Sequence, residues 1–426
     1  MRFLRGFARL RLCFSICSSG VLEKPMKPRP SHMRCPLFAM ILAWAVFSLG
    51  QNQTHFVTIG QTVQIHSEIL KQSRSLTVSK PNSYDSGTDR YPVLYLLDGE
   101  SNFEYTAAIV RFLADSERIP EMIVVAINSG DRRTHDLTPP SEVEIENRFS
   151  PGNGGADAFL AFIGDELVPY VERNYRTRPY RILVGHSFGE LFAIHTMVTK
   201  PKLFDAYIAI DPTVSWNDGA EIVRAQQFFS EARDLQSDLY ITAANTFGTA
   251  TPGIQELVGA LGKNAARGFR WKFEWMKDES HLSIPLPSIY SGLSTIFDGW
   301  YLTDPLLLFD EGGLEAIRRH FREGATRYGD ERATPPFAIS LVVAALIEKR
   351  RLEEASTVLL HDPEGNPPPW NQLDAHARGY AERGNVEQAI RFCRLSLQEN
   401  PHNAWVRQKL TEMGANPSAL PKHELH

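Results

Sequence analysis

The stretch that decides the fold is Arg181 to Val198, RILVGHSFGELFAIHTMV, near the middle of a 426-residue chain. Ile182-Leu183-Val184 is a short apolar run of the kind buried in a sheet. Gly185-His186-Ser187-Phe188-Gly189 follows as a G-x-S-x-G pentapeptide, and beyond it Leu191, Ile194, His195 and Val198 fall on one face of a helix. A strand that turns straight into a helix through a serine between glycines meets the requirement of a nucleophile elbow. The serine sits on a tight turn with its Oγ beyond the strand end, and bulk beside it would strike the neighbouring strand and helix. Ser187 is therefore read as a nucleophile. The amide of Phe188, directly after it, is one expected donor to the oxyanion of a tetrahedral intermediate.

The segments on either side support this reading. VQIHSEIL and RSLTVSKP read as two early strands joined near Lys71–Ser73. YPVLYLLDG, MIVVAI, AYIAIDP, DLYITAAN and RWKFEWM are later apolar runs with helix-length segments between several of them. Short apolar runs alternating with helices indicate a mostly parallel sheet covered on both faces, an α/β domain. DAFLAFIGDELVPYVERNY carries Phe159, Phe162, Ile163, Leu167 and Val171 at helical spacing and is expected to pack on that sheet.

A serine hydroxyl needs a base. His195 lies on the helix after the elbow, where a satisfied core histidine is expected. His281 follows the last strand-like run, RWKFEWM, in a polar loop, which is where a general base belongs in this chain order. The acid that orients the histidine is less legible. The loop after DLYITAAN, NTFGTATPG, has no carboxylate. Glu256 on the next helix is the first choice, a Ser–His pair without an acid the second, and Asp211 at the end of AYIAID the third. The second oxyanion amide is expected from Gly99 or Glu100, after YPVLYLLD. Arg132, Arg133 and Asp136 in SGDRRTHDLTPP lie on the same edge, either facing a substrate or pairing with one another to order the loop.

Formal net charge is −5, from 45 basic and 50 acidic residues, and no long basic run follows the N-terminus, so no nucleic-acid partner is expected. Four cysteines, Cys13, Cys17, Cys35 and Cys393, form no C-x-x-C pair, and no metal or other cofactor is implied. Residues 1–50 read as an N-terminal extension. PLFAMILAWAVFSL, Pro36 to Leu49, has the length of a signal-peptide core, with basic residues before it and small residues after it. A signal peptide over about 26–50, with translation starting at Met26 or Met33, predicts an exported protein with no membrane span after cleavage. An uncleaved membrane anchor is the alternative. The α/β domain is expected over 51–303, a helical linker over 304–335, helical repeats over 336–412 and a polar tail over 413–426. The repeats emerge from a 34-residue offset that aligns Leu346 with Tyr380, Leu352 with Val386, Ala355 with Ala389 and Leu359 with Cys393. That offset resembles the tetratricopeptide repeat and implies either a cap on the main domain or a protein-docking surface.

Taken together, SEILKQSRSLTVSKP, YPVLYLLDGESNF, DRRTHDLTPP, VGHSFGELFAIHTM, IAIDPTVSW and SHLSIPLPSIYSGLSTIF resemble, in order and spacing, the putative-esterase (esterase D-like) family of α/β-hydrolases, over roughly His55 to Tyr301. The siderophore-esterase-like members, acting on enterobactin, salmochelin or bacillibactin, are nearest. The resemblance implies an α/β-hydrolase fold, Ser187 as nucleophile, His281 as base and a small ester cleaved through an acyl-enzyme. Arg132 and Trp216 are expected near the substrate. Some of these members use a Ser–His dyad, consistent with the missing loop carboxylate. The same residues would serve an acyltransferase, and a non-catalytic scaffold binding proteins through its helical tail is the remaining alternative. The tail is not part of the family pattern.

Overall fold

The computed structural model describes residues 57–418 except 214, 246–250, 264–265, 330–333, 335 and 361–369. The segment read as a signal peptide lies outside the described residues. Eight strands form one sheet in the order β1-β2-β4-β3-β5-β6-β7-β8. They are β1 (Gln61–Ser67), β2 (Gln72–Ser79), β3 (Tyr91–Leu96), β4 (Ile123–Ile127), β5 (Thr177–His186), β6 (Ala206–Ile210), β7 (Asp238–Ala244) and β8 (Arg270–Met276). β1 and β2 pair antiparallel, as do β2 and β4, and every other neighbouring pair is parallel.

The burial pattern follows from the sequence. Every residue of β3, β4, β6 and β7 is buried, as their unbroken apolar composition requires of strands with helices on both faces. Alternation sorts the side chains into two layers: Val93, Tyr95 and Leu97 join one core, Leu94 and Leu96 the other. The helical run after Gly155, Ala156–Ala161, Phe162–Leu167 and Val168–Asn174, lies on the first layer with Phe159, Phe162, Ile163, Leu167 and Val171 no more than 1% exposed. Helices α1 (Gly99–Asp115) and α5 (Pro285–Ile296) cover the other layer; α2 (Phe188–Thr199), α3 (Ala220–Glu231) and α4 (Thr251–Lys263) contribute to the first.

After β8 and α5 only helices follow among the described residues: α6 (Pro305–Tyr328), α7 (Pro336–Glu348), α8 (Leu352–Leu360), α9 (Trp370–Glu382), α10 (Val386–Glu399) and α11 (Ala404–Glu412). The starts of α7 and α9, and of α8 and α10, are offset by the same 34 residues as the sequence pattern. Ala355 and Ala389 are fully buried where their helices meet, whereas Val386, aligned with the buried Leu352, is 45% exposed. These helices build a third core of their own. The stretch expected to be a linker is largely occupied by α6, whose last residue docks on the α/β body. Tyr328 is 2% exposed, its ring 4.8 Å from Phe297 and 5.5 Å from Tyr180, and its hydroxyl donates to the Ile296 carbonyl at 3.0 Å. No helix among the described residues is long and apolar enough to cross a membrane.

The order of the sheet selects one edge for chemistry. From β3 the chain crosses first to β4 on one side and then to β5 on the other, leaving a crevice at the carboxyl ends of β3 and β5 where the winding reverses.

Candidate active site

Ser187 stands at that crevice, between the last residue of β5 and the first of α2, with φ 61° and ψ −118°. A non-glycine residue with this backbone is strained, typically by about 1–3 kcal/mol. The turn is imposed by the ladder: the Ser187 amide donates to the Ile210 carbonyl of β6 at 3.0 Å, while its own carbonyl accepts from Glu190 at 3.0 Å. The two flanking glycines differ. A Cβ on Gly185 would lie 2.0 Å from the Gly189 carbonyl oxygen, an impossible approach. A Cβ on Gly189 would meet Leu97 at 3.5 Å, ordinary contact, so steric need is confined to Gly185.

His281 follows β8 in a loop fixed by its own polar residues. Ser283 Oγ donates to Glu279 at 2.6 Å, the Ser280 amide donates to Ser283 Oγ at 2.9 Å, and the Asn245 amide ties the loop to the end of β7 through the Glu279 carbonyl at 3.1 Å. His281 Nδ1 lies 2.6 Å from Asp211 Oδ2. Asp211 directly follows β6, in the left-handed region at φ 47°, and is 3% exposed. Its other oxygen accepts from the Ala244 amide at 2.8 Å. Burial acts to raise the Asp211 carboxyl, but the hydrogen bonds from His281 and Ala244 and the nearby imidazoles outweigh it and hold the group below its usual range. Glu256, ranked first in the sequence reading, is exposed on α4, and Asp211, ranked third, occupies the position beside the base. Asp211 thus reaches His281 from one strand earlier than the loop after β7.

Asp98, Glu100, Asn102, Arg133, Ser187 and His281 line a cavity of about 410 Å³ that opens on this edge. Gly99 and Glu100 begin α1 and Phe188 begins α2, and the first amides of a helix have no intrahelical acceptor. The loop before α1 is held from several directions. Asp98, at φ 53°, receives Arg133 through Nε and a terminal nitrogen, both at 2.8 Å, and Ser129 Oγ at 2.9 Å. The Glu100 carboxylate accepts from the amides of Ser129 and Gly130 at 3.0 and 2.7 Å. Arg133 also reaches the His186 carbonyl at 3.3 Å and lies over the Phe188 ring at 5.5 Å, joining the α1 loop to the elbow.

The remaining sequence candidates fall elsewhere. Arg132 is exposed and does not line the cavity; Arg133 does. Asp136 is buried in an ion pair with Arg74. Trp216 is 4% exposed behind Phe188, its ring edge-on at 5.2 Å and its Nε1 donating to the Pro139 carbonyl at 2.9 Å, so it supports the elbow from below. His195 is buried with Asp157 at 2.9 Å and Arg224 at 3.0 Å on its two ring nitrogens, a satisfied core histidine.

Two groups went unread in the sequence. His186 packs its ring 4.4 Å from that of His281, and burial, with repulsion from His281 second, pulls its imidazole down to about 4, so it is neutral at neutral pH. His186, Asp211 and His281 bring possible ligand atoms within 4.8 Å of one another, a set with metal-binding donors, of which Asp211 and His281 are already joined by a hydrogen bond. Glu190, in the first turn of α2, is 2% exposed. Burial, then the charge of Asp211, raises its carboxyl well above the usual range.

Residues 67–260 match the family model described as putative esterase. Over 157 residues the chain is 36% identical to the siderophore enterobactin esterase of Emericella nidulans, a match covering 33% of this chain and 52% of that protein. Over 235 residues it is 29% identical to the ferri-bacillibactin esterase of Bacillus subtilis, covering 50% of this chain and 81% of that one. The chain thus spans about half the length of the first relative and most of the second. The crystal structure of an IroE-like serine hydrolase from Shewanella oneidensis aligns at a TM-score of 0.62 with 25% identity, over 70% of this chain and 97% of that one. The likeness to the putative-esterase family covers residues 67–260, somewhat under half of the chain.

Proposed function

We propose that this chain is a serine carboxylic-ester hydrolase working through an acyl-enzyme. The observation that carries the reading is the Asp211–His281 hydrogen bond on the cavity that Ser187 also lines, with Ser187 held in a strained elbow. Ser187 Oγ attacks the ester carbonyl and His281 takes its proton. Asp211, accepting from Nδ1, fixes the tautomer that leaves Nε2 free as base and stabilises the imidazolium. The amides of Phe188 and of Gly99 or Glu100 receive the oxyanion, and the Arg133 guanidinium, anchored by Asp98 and facing the same cavity, adds a fixed positive charge near it. His281 returns the proton to the departing alcohol, and the same cycle with water releases the acid. The names of the relatives support a small siderophore-type ester as substrate, and the polar cavity wall, with donors at Arg133 and Asn102, is compatible with such a molecule.

The test uses the full chain with a fluorophosphonate probe and p-nitrophenyl acetate. Wild type is expected to be labelled at Ser187 and to turn over. Ser187→Ala should lose labelling, and Ser187→Ala and His281→Ala should each lose at least about 10³-fold in kcat. A wild type that is neither labelled nor active would refute the reading.

A further inference from the structure

An apolar ledge leads away from the catalytic cavity, and we infer that it is the subsite for an apolar acyl or aryl group of the ester. This rests on the hydrolase reading above and names the kind of substrate that site prefers. Three residues of the cavity wall, Tyr105, Leu282 and Pro285, are its inner end. Leu282, directly after the base, is 87% exposed. From there α5 carries Leu286, 52% exposed, and Tyr290, 42% exposed, one turn apart on the same side. On α1, Tyr105, Ile109 and Phe112 follow at helical spacing, with Phe112 59% exposed. The two helices close on each other at the outer end, where the Phe112 and Tyr290 rings are 6.4 Å apart. At 1.5 Å per residue, the seven steps from Tyr105 to Phe112 make the ledge about 10 Å long, the reach of a medium-length acyl chain or an aryl-alkyl group.

Single exposed apolar residues need no explanation, but a contiguous row running out of a catalytic cavity does. The cavity wall joins polar groups, Asp98, Glu100, Asn102 and Arg133, to the apolar Leu282 and Pro285, with Tyr105, whose hydroxyl donates to Asn102 Oδ1, between the two kinds. An ester whose carbonyl is at Ser187 is therefore offered two unlike directions. The polar part is held on the Arg133 side, and the apolar part leaves over Leu282 along α5. Continuity through Tyr105, Leu282 and Pro285 is what assigns the ledge to the substrate. A separate docking surface would not share its wall with the reacting centre.

The experiment measures kcat/KM of the full chain on monomeric p-nitrophenyl acetate, butyrate, octanoate and phenylacetate, all below micelle-forming concentrations. Each methylene laid on a half-open apolar surface should raise kcat/KM roughly 1.5- to twofold, so octanoate, six methylenes longer, should exceed acetate by a factor on the order of 10–60. Leu286→Ser and Tyr290→Ser combined with Phe112→Ser should lower the octanoate-to-acetate ratio about tenfold. Val223→Ser, which removes an apolar side chain 62% exposed on α3, should leave the ratio unchanged. A larger fall for phenylacetate than for octanoate assigns the ledge to aryl groups, the reverse to chains. A flat profile with active acetate hydrolysis, or a ratio untouched by the ledge variants, overturns the inference while leaving the hydrolase reading intact. Loss of ratio seen only with dispersed, not monomeric, ester would make the ledge a lipid-contact surface and overturn it equally. An enzyme that cleaves no ester at all brings down both readings.

Discussion

The catalytic edge of the sheet and the helical tail are built on opposite rules. At the edge, Asp98, Ser187 and Asp211, none of them glycine, sit at φ 53°, 61° and 47° at the carboxyl ends of β3, β5 and β6. Beyond residue 304 Arg350, φ 58°, is the one non-glycine residue in that region among the described residues, at the turn between α7 and α8. Each such residue carries about 1–3 kcal/mol of strain, tolerated only where the surroundings overdetermine it. The tail holds its buried polar groups by pairing them within regular helices: Asp374 with Ser396 and Asn403, Ser356 with His376 and Tyr380. Left-handed residues thus gather at the sheet edge that carries Ser187, while Lys71, Glu117, Asn217 and Asp218 adopt positive φ elsewhere in the α/β part.

The largest effect that would break this contrast comes from Asp211. Asp211→Asn keeps the shape but cannot accept the Nδ1 proton in the same way, so the wrong tautomer is favoured. A fall in kcat on p-nitrophenyl acetate of about 10²- to 10⁴-fold is expected. Glu256→Ala, on exposed α4, should stay within about twofold. An Asp211→Asn enzyme with wild-type kcat would mean that Ser187 and His281 work as a pair, and the strain at Asp211 would then need a structural rather than a chemical explanation.

Next in size is the joint between the two regions. Tyr328 fills the aromatic cluster under β5 and α5, and Tyr328→Ala should cost about 3–5 kcal/mol in urea unfolding, as buried aromatic truncations do. Measured per fluorophosphonate-titrated site, kcat on acetate should change less than about twofold, because Tyr328 sits under the sheet rather than at the carboxyl edge. A folded Tyr328→Ala protein with a kcat lowered tenfold would show that the tail sets the geometry of the site.

The two regions were also unequally legible. In the α/β part, unbroken apolar runs such as YPVLYL and IVVAI mark strands buried on both faces, and the Gly185–Gly189 elbow and the polar loop around His281 follow from local chemistry, so the fold class could be read and Ser187 and His281, which line one cavity, could be singled out. Asp211 was ranked only third. Its proximity to His281 depends on how far β6 and β8 lie from each other across β7, a long-range distance that spacing does not encode. The left-handed Asp before Pro212 was the available signal, since a short acidic side chain tolerates that conformation at a strand end. Arg133 rather than Arg132 faces the cavity because the short helix Arg133–Leu137 fixes which of two adjacent side chains turns inward, again a tertiary outcome. In the tail, the 34-residue offset located the helices, but Val386 shows that matching positions need not be equally buried.

The smallest effect separates the regions by proton uptake. Burial lowers both His186 and His376 from the ordinary histidine value to about 4, with repulsion from His281 a second cause at His186. For a histidine kept neutral in the fold, the unfolded chain binds more protons between about pH 4 and 6.5, so stability is fully present above that window and is lost as pH falls through it. His376 is fully buried, donating or accepting at 2.7 Å to Ser356 and edge-on to Phe392 at 4.2 Å. It should account for about 1–3 kcal/mol of that loss. His186 borders the open cavity, where water lessens the penalty, and should account for less. His376→Phe is expected to flatten the fall in urea midpoint between pH 7 and 4.5 whatever its effect on stability at pH 7, and to leave the pH profile of acetate hydrolysis in the folded range unmoved. If the slope of stability with pH is the same in His376→Phe and wild type, the tail histidine is not a source of acid sensitivity, and the weakness at low pH belongs to the catalytic edge alone.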